Sequence, residues 1–481
     1  MNKLWESMED STNLTRTEND ALTHKSSKSY LLDLFAMGGS MRTRSPEDIT
    51  TLFSRALAED KELAIRCLFY IRDIRGGLGE RKIPKILFAF LISQHTELAE
   101  KVAKWFPEFG RWDDIFISMK TNGKITIPTF IVDLVKFQLG TDKLSDTPSL
   151  LAKWMPSENA SRSHTKKLGT AFRNALKMSP RSYRQMLSAL RKKINIVESA
   201  MSAKNWENID YGKLPSKAGF KYRKAFGRHD PDGYADFITK VEKGEKTINA
   251  STLFPYEIVR QIMNGDGSDR AMEAMWKALP DYGDDRNALV VCDTSGSMRG
   301  HPITVSVSLA LYFAERNQGA FAGRFITFSE QPELQTVMGD TLESKVYNLK
   351  SAHWEMNTNV EAVFDLILDT AMESGVTQNE MPSAIYIISD MEFDRCCGRN
   401  DKTIFKHIEK EYRGAGYEMP VLVFWNVNAR NDNLPVTMHE SGTILVSGSS
   451  PSVFKMAVNR TTPYQFMLDT LNSERYIDIR V

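Results

Sequence analysis

From Ala288 to the end of the chain, short apolar runs alternate with longer amphipathic ones. ALVVCD (Ala288–Asp293), RFITF (Arg324–Phe328), SAIYIISD (Ser383–Asp390), PVLVFWNV (Pro420–Val427) and TILVSG (Thr443–Gly448) read as strands. Ile303–Arg316, Val360–Met372 and Ile404–Arg413 read as helices between them. Strands apolar on both faces need cover on both sides, and intervening helices supply it. The pattern predicts a doubly wound, mostly parallel, Rossmann-like α/β sheet. In such sheets ligands gather at the carboxyl ends of the strands, which is where chemistry is to be sought.

The preceding half obeys another period. From Leu31 to about Leu279, apolar residues recur at three- and four-residue spacing, as in Pro46–Ala58, Leu63–Arg72, Lys85–Leu91, Thr129–Lys136, Leu168–Lys177, Tyr183–Val197 and Tyr234–Val241. Connections such as RGGLGER, KMSP and RHDPDG carry the Gly, Pro and Asp of turns. Short helices joined by short turns predict stacked helical pairs rather than one bundle, although no clean repeat period stands out. The polar joint PDYGDDRN (Pro280–Asn287) separates the halves. The expected organisation is therefore a mobile, Ser-, Thr- and charge-rich tail over 1–28, a helical region over 29–285 and an α/β region over 286–481.

Among 481 residues, 42% are hydrophobic and 26% charged, which excludes collagen-like and wholly disordered chains. No run approaches the ~18 apolar residues of a membrane helix. The N-terminal residues lack the apolar core of a secretory signal. Of four cysteines, Cys396 and Cys397 are adjacent, a poor disulfide framework that suits reduced thiols in a cytoplasmic protein.

The net charge of +1 hides an asymmetry. Residues 151–230 hold 18 Lys+Arg against 5 Asp+Glu, while 286–481 hold 17 against 24. The basic segment includes Arg162, Lys166, Lys167, Arg173, Lys177, Arg181, Arg184, Arg191, Lys192 and Lys193, with Trp154, Tyr183, Trp206, Tyr211 and Tyr222 interleaved. Concentrated cations attract polyanions through counterion release, and neighbouring aromatics stack bases. A solvated helix face over a core of aromatics is the plainer alternative.

The motif that carries chemistry is Asp293-Thr294-Ser295-Gly296-Ser297, at the end of the first strand of the α/β half. One carboxylate and two hydroxyls at a strand end suit a hard divalent cation such as Mg²⁺, which takes oxygen ligands and keeps waters. Thr358, just before a helix, and Asp390, ending another strand, can add a hydroxyl and a second carboxylate. A metal held this way keeps an electrophilic open position and captures a carboxylate or phosphate. No nucleophile paired with a base stands near it, so a non-catalytic role is expected. Asp390, Glu392 and Asp394 alternate and invite comparison with a second cation site, against the simpler reading of a solvated acidic loop. RGGLGERK (Arg75–Lys82) follows no strand and is no dinucleotide fingerprint.

The order Asp293, Ser295, Ser297, Thr358, Asp390 resembles the metal-ion-dependent adhesion site (MIDAS) of von Willebrand factor A (vWA) domains. The helical stretches LLDLFAMGGSMR, LAIRCLFYIRDIRGGLGERK, FPEFGRWDDIF and YRKAFGRHDPDGY, followed by that motif, resemble an uncharacterised helical-plus-vWA family of viruses, plants and fungi. In layout the chain is similar to the TROVE–vWA ribonucleoproteins of the Ro type. The resemblance implies a HEAT-like ring of helical repeats closed by a vWA domain, Mg²⁺ or Mn²⁺ at the five motif residues, and RNA as partner, in structured form on basic surfaces and as single-stranded ends in the central hole. No RNA-contacting residue carries over from it. The ten basic residues above are the candidates from charge, with Arg72, Arg75 and Arg81 as alternatives that helix-end ion pairing also explains. Two other functions compete with RNA binding: a metal-dependent protein-interaction scaffold that captures an acidic partner, and a metal-dependent nucleic-acid hydrolase.

Overall fold

The computed structural model describes residues 8, 11–121, 124–282, 287–328, 331–351, 359–394, 404–456 and 461–481. Helices follow one another from Tyr30 to Lys277. Their starts are written in the sequence. Ser45, Asp60 and Ser179 each accept a hydrogen bond from a backbone N–H in the first turn, and Pro46 and Pro180 occupy the first helical position. Two helices outrun their apolar signature: Lys82–Gln94 and Thr129–Leu144 extend through polar turns although neither has a side-chain cap at its start.

Ten strands occur among the described residues. β1 (Leu14–Arg16) and β2 (Leu22–His24) form an antiparallel hairpin, as do β3 (Met119–Thr121) and β4 (Lys124–Thr126), which interrupts the helical half. The remaining six, β5 (Ala288–Cys292), β6 (Arg324–Thr327), β7 (Leu334–Thr336), β8 (Ala384–Ser389), β9 (Val421–Asn426) and β10 (Thr443–Ser447), make one sheet in the order β10-β9-β8-β5-β6-β7. All neighbours run parallel except the edge pair β6–β7. β5, β8, β9 and β10 are buried throughout, as the apolar runs require. The chain leaves β5 towards β6 and returns on the other side at β8, so the β5/β8 boundary is the switch point where a crevice opens.

Both ends of the helical half dock on the α/β half. The helix Tyr30–Met37 packs on β10 and on the helix Pro463–Leu471. The helices Pro255–Met263 and Arg270–Lys277 pack near His301–Arg316 and Leu342–Ser351. At the first dock the backbones nearly touch: a Cβ on Gly39 would lie 2.8 Å from Gly448 Cα, and Gly39 N–H donates to Ser447 Oγ at 3.0 Å.

The expectation of a mobile tail over 1–28 does not hold from Ser11 onward. Thr17, Ala21, Thr23, His24 and Ser27 are buried. The Thr17 hydroxyl donates to Phe393 O at 2.7 Å, and His24 and Leu434 exchange backbone hydrogen bonds at 3.1 and 3.0 Å. A polar segment lacks a core of its own and is ordered here by hydrogen bonds to the loops that follow β8 and β9.

Candidate metal centre and basic cavity

The motif loop sits at the switch point. Asp293 follows β5, and its N–H donates to Ile388 O of β8 at 3.1 Å; Asp390 follows β8. Both aspartates are buried, at 0% and 2% exposure. Asp293 Oδ1 accepts from Ser295 N–H at 2.9 Å and Oδ2 from the Ser389 hydroxyl at 2.6 Å. The hydroxyls of Ser295 and Ser297 lie 3.1 Å apart, and Ser297 is close enough to Asp390 to favour its charged form. Burial, then repulsion from Asp390, pushes the Asp293 carboxyl up to about 6; burial raises Asp390 as well. Thr358 lies outside the described residues.

Four of the five motif side chains thus meet in one cluster of oxygens. Two buried carboxylates, with two hydroxyls beside them, fit a divalent cation by donor chemistry. Among the described residues no three His, Cys, Asp or Glu gather in one place. Two partners of the cluster escape sequence reading. Ser389 reads only as the end of a strand. Arg430, from the loop after β9, places Nη2 3.0 Å from Asp390 Oδ2.

The alternating acids do not form a second cluster. Glu392 accepts from Glu18 N–H at 2.7 Å and from Asn431 and Asn433, each at 2.9 Å. Its carboxylate organises the N-terminal hairpin. Asp394 pairs through its backbone with Asp20.

The second feature is a cavity of about 1710 Å³ whose lining comes entirely from the helical half. Eleven basic side chains and four acidic ones line it, the basic ones including Arg42, Lys104, Arg111, Lys153, Arg162 and Lys221. Aromatic rings alternate with them. The Arg111 guanidinium lies 4.3 Å from the Trp154 ring centre and Lys221 Nζ 4.7 Å from that of Tyr222. Phe137, also in the lining, is 74% exposed.

Of the ten basic candidates from the sequence, Arg162 and Arg191 line this cavity. Arg191 is consumed by structure: it donates to Ala152 O, Met155 O and Ser157 Oγ at 2.8–2.9 Å, and burial lowers its pKa. Arg173 pairs with Glu158 at 2.8 Å, and Lys193 donates to Lys143 O at 3.0 Å. Lys166, Lys167, Lys177, Arg181, Arg184 and Lys192 are exposed and outside the cavity lining. Of the alternatives, Arg72 is buried against Asp114 at 2.6 Å, Arg75 reaches Glu108 O at 3.4 Å, and Arg81 reaches Asp113 at 3.4 Å. Lys153, Lys217 and Lys221 contributed to the charge excess of 151–230. Their convergence with Arg42 and Arg111 needs the curvature of the helical stack.

Fold and sites define a class: a run of helices enclosing a cationic cavity, both ends docked on an α/β sheet that carries a carboxylate–hydroxyl cluster at its switch point. The chain belongs to the family described as domain of unknown function DUF2828, matched over residues 17–114 and 130–288. Residues 287–470 match a second family, described as domain of unknown function DUF7788. It is 30% identical to "Uncharacterized protein L728" of Acanthamoeba polyphaga mimivirus, across 93% of this chain and 85% of that protein. Among solved structures it is similar to the Ro (RSR) protein of Deinococcus radiodurans, with 11% identity and a TM-score of 0.34 over 89% of this chain and 99% of that one. No helix among the described residues is long and apolar enough to cross a membrane.

Proposed function

We propose that this protein is a non-catalytic, Ro-like RNA-binding protein that holds single-stranded RNA in the basic cavity, while its vWA-like half binds Mg²⁺ or Mn²⁺ to capture an acidic ligand. The observation that carries the reading is the cavity wall, with eleven basic side chains against four acidic ones and aromatic rings set among them. Its volume exceeds the ~300–1,000 Å³ of small-molecule pockets, which favours a polymer. Cations neutralise the phosphates, and rings stack bases that a duplex would keep hidden.

The test is fluorescence anisotropy with a labelled single-stranded oligonucleotide. Affinity should drop steeply between about 50 and 200 mM salt. Charge reversal of the exposed cavity residues Lys104, Arg162 and Lys221 should abolish binding. Reversal of Lys166, Lys167, Arg184 and Lys192 on the outer face should weaken it far less. If the outer-face set alone removed binding, the cavity would not be the site.

A second reading, a metal-dependent protein-interaction scaffold without RNA, draws on the rim of the cluster. Gly296 is exposed and Ser297 half-buried, so a partner's carboxylate can approach the cation there. In that case EDTA and Asp293→Ala release a copurifying protein, and no RNA is bound at all.

A further inference from the structure

The cluster at Asp293 and Asp390 contains a cation of its own. Arg430 Nη2 lies 3.0 Å from Asp390 Oδ2 and also 3.0 Å from Glu18 Oε2, which comes from the turn between β1 and β2. One nitrogen serves both acids, while Nε is buried without a hydrogen-bond partner. The two-nitrogen fork is the strong way for a guanidinium to hold a single carboxylate. Arg430 is instead shared between an acid of the cluster and an acid of the hairpin.

The hairpin is built around that arrangement. Glu18 N–H donates to Glu392 Oε2 at 2.7 Å, and Asn19 Nδ2 donates to Glu392 O at 2.8 Å, two residues beyond Asp390. Asn431, next to Arg430, donates to Glu18 Oε1 at 2.9 Å. The Glu18 carboxylate is therefore held in place beside the guanidinium.

We propose that Arg430 is the resident counter-cation of the Asp293–Asp390 cluster and Glu18 its second seat, so that divalent-cation binding and docking of the N-terminal hairpin are coupled. The inference rests on the metal reading above. A divalent ion on Asp390 repels a guanidinium this close and drives it onto Glu18. Glu18 makes the displacement easier by accepting the released charge. Linkage is reciprocal: the ion tightens the hairpin, and the docked hairpin raises affinity for the ion.

The experiment is calorimetric titration of the full chain with Mg²⁺ and Mn²⁺ in four forms: parent, Arg430→Gln, Glu18→Gln and the double variant. Hydrogen exchange across residues 14–24 is followed with and without the ion. Arg430→Gln should tighten ion binding by roughly five-fold or more, Arg430→Lys by less, and Glu18→Gln should weaken it. Glu18→Gln should have no effect in the Arg430→Gln background, because it acts through the guanidinium. The ion should slow exchange in the hairpin of the parent and not of Arg430→Gln. Loss of packing would shift both single variants the same way, so the opposite signs separate coupling from damage. If the parent binds the ion and Arg430→Gln binds it equally or less well, the inference fails and the metal reading stands. If Glu18→Gln weakens binding equally in both backgrounds, Glu18 is only background charge and the coupling is refuted. Binding by Arg430→Gln alone supports it, and binding by no form ends both readings.

Discussion

Asp293 is fully buried beside a second buried carboxylate, and its carboxyl is held at about 6. Between the ordinary carboxylate range near 4 and that value, the folded chain keeps a proton that the unfolded chain has lost. This group's contribution to stability therefore declines as pH rises from about 4 to 6. A cation bound there, as proposed above, must expel the same proton. Mg²⁺ affinity should fall roughly three-fold or more between pH 7.5 and 5.5, and Asp293→Ala should abolish the binding heat; affinity independent of pH over that range would argue against Asp293 as a ligand. His301 behaves oppositely. Its Nε2 accepts from Arg42 at 2.5 Å, and burial, then Arg42 and Arg260, pulls its pKa down to about 4. The unfolded chain protonates near 6.5 and the folded one only near 4, so stability is lost as pH falls through that window. His301→Gln should flatten the acid limb of a urea-midpoint profile. In the sequence His301 was one of eight scattered histidines, and only the fold brings Arg42 to it.

At the scale of elements, the segment after the last helix acts as a hook into the helical half. Asp73, at 0% exposure, lies between Arg475 and Tyr476: Arg475 Nη2 is 2.7 Å from Oδ1, and the Tyr476 hydroxyl donates to Oδ2 at 2.9 Å. Removing a partner from a buried charge costs about 3–5 kcal/mol; since Arg475 is itself 37% exposed, about half that is expected for Arg475→Met, read as a lowered guanidinium midpoint. Gly76 of RGGLGERK serves this junction, and Gly77 the turn that presents Asp73 to it. A Cβ on Gly76 would meet Arg475 at 2.7 Å, and one on Gly77 would meet Tyr70 O at 2.1 Å. β5, β8, β9 and β10 were legible because burial on both faces writes continuous apolar runs. β7 was not, being three residues long and largely exposed. The β1–β2 hairpin was not either, because its partners Phe393 and Leu434 lie in the other half of the chain. Asp293, Ser295 and Ser297 were legible because one loop carries all three. Arg430 was not, because it reaches the cluster from a separate loop, after β9.

Across the whole molecule, a cationic wall alone does not distinguish RNA from any other polyanion, and the aromatic rings are where the proposed RNA reading is tested. Trp154 and Tyr222 already carry a cation near one ring, whereas Phe137 stands 74% exposed in the lining and Leu150 51% exposed close by. An apolar ring left in water beside concentrated positive charge costs hydration that a stacked base recovers. The charge count of residues 151–230 pointed towards this region of the chain. It could not show which face was concave, since Arg111, Phe137 and Trp154 converge only once the helices are stacked. Phe137→Ala should therefore weaken single-stranded RNA by about 1–3 kcal/mol, the worth of one stacked base, while leaving inorganic polyphosphate unchanged. Competition anisotropy with the two polymers at one salt concentration reads the difference. Equal losses for both would mean that the ring only shapes the wall and that the cavity selects for charge alone.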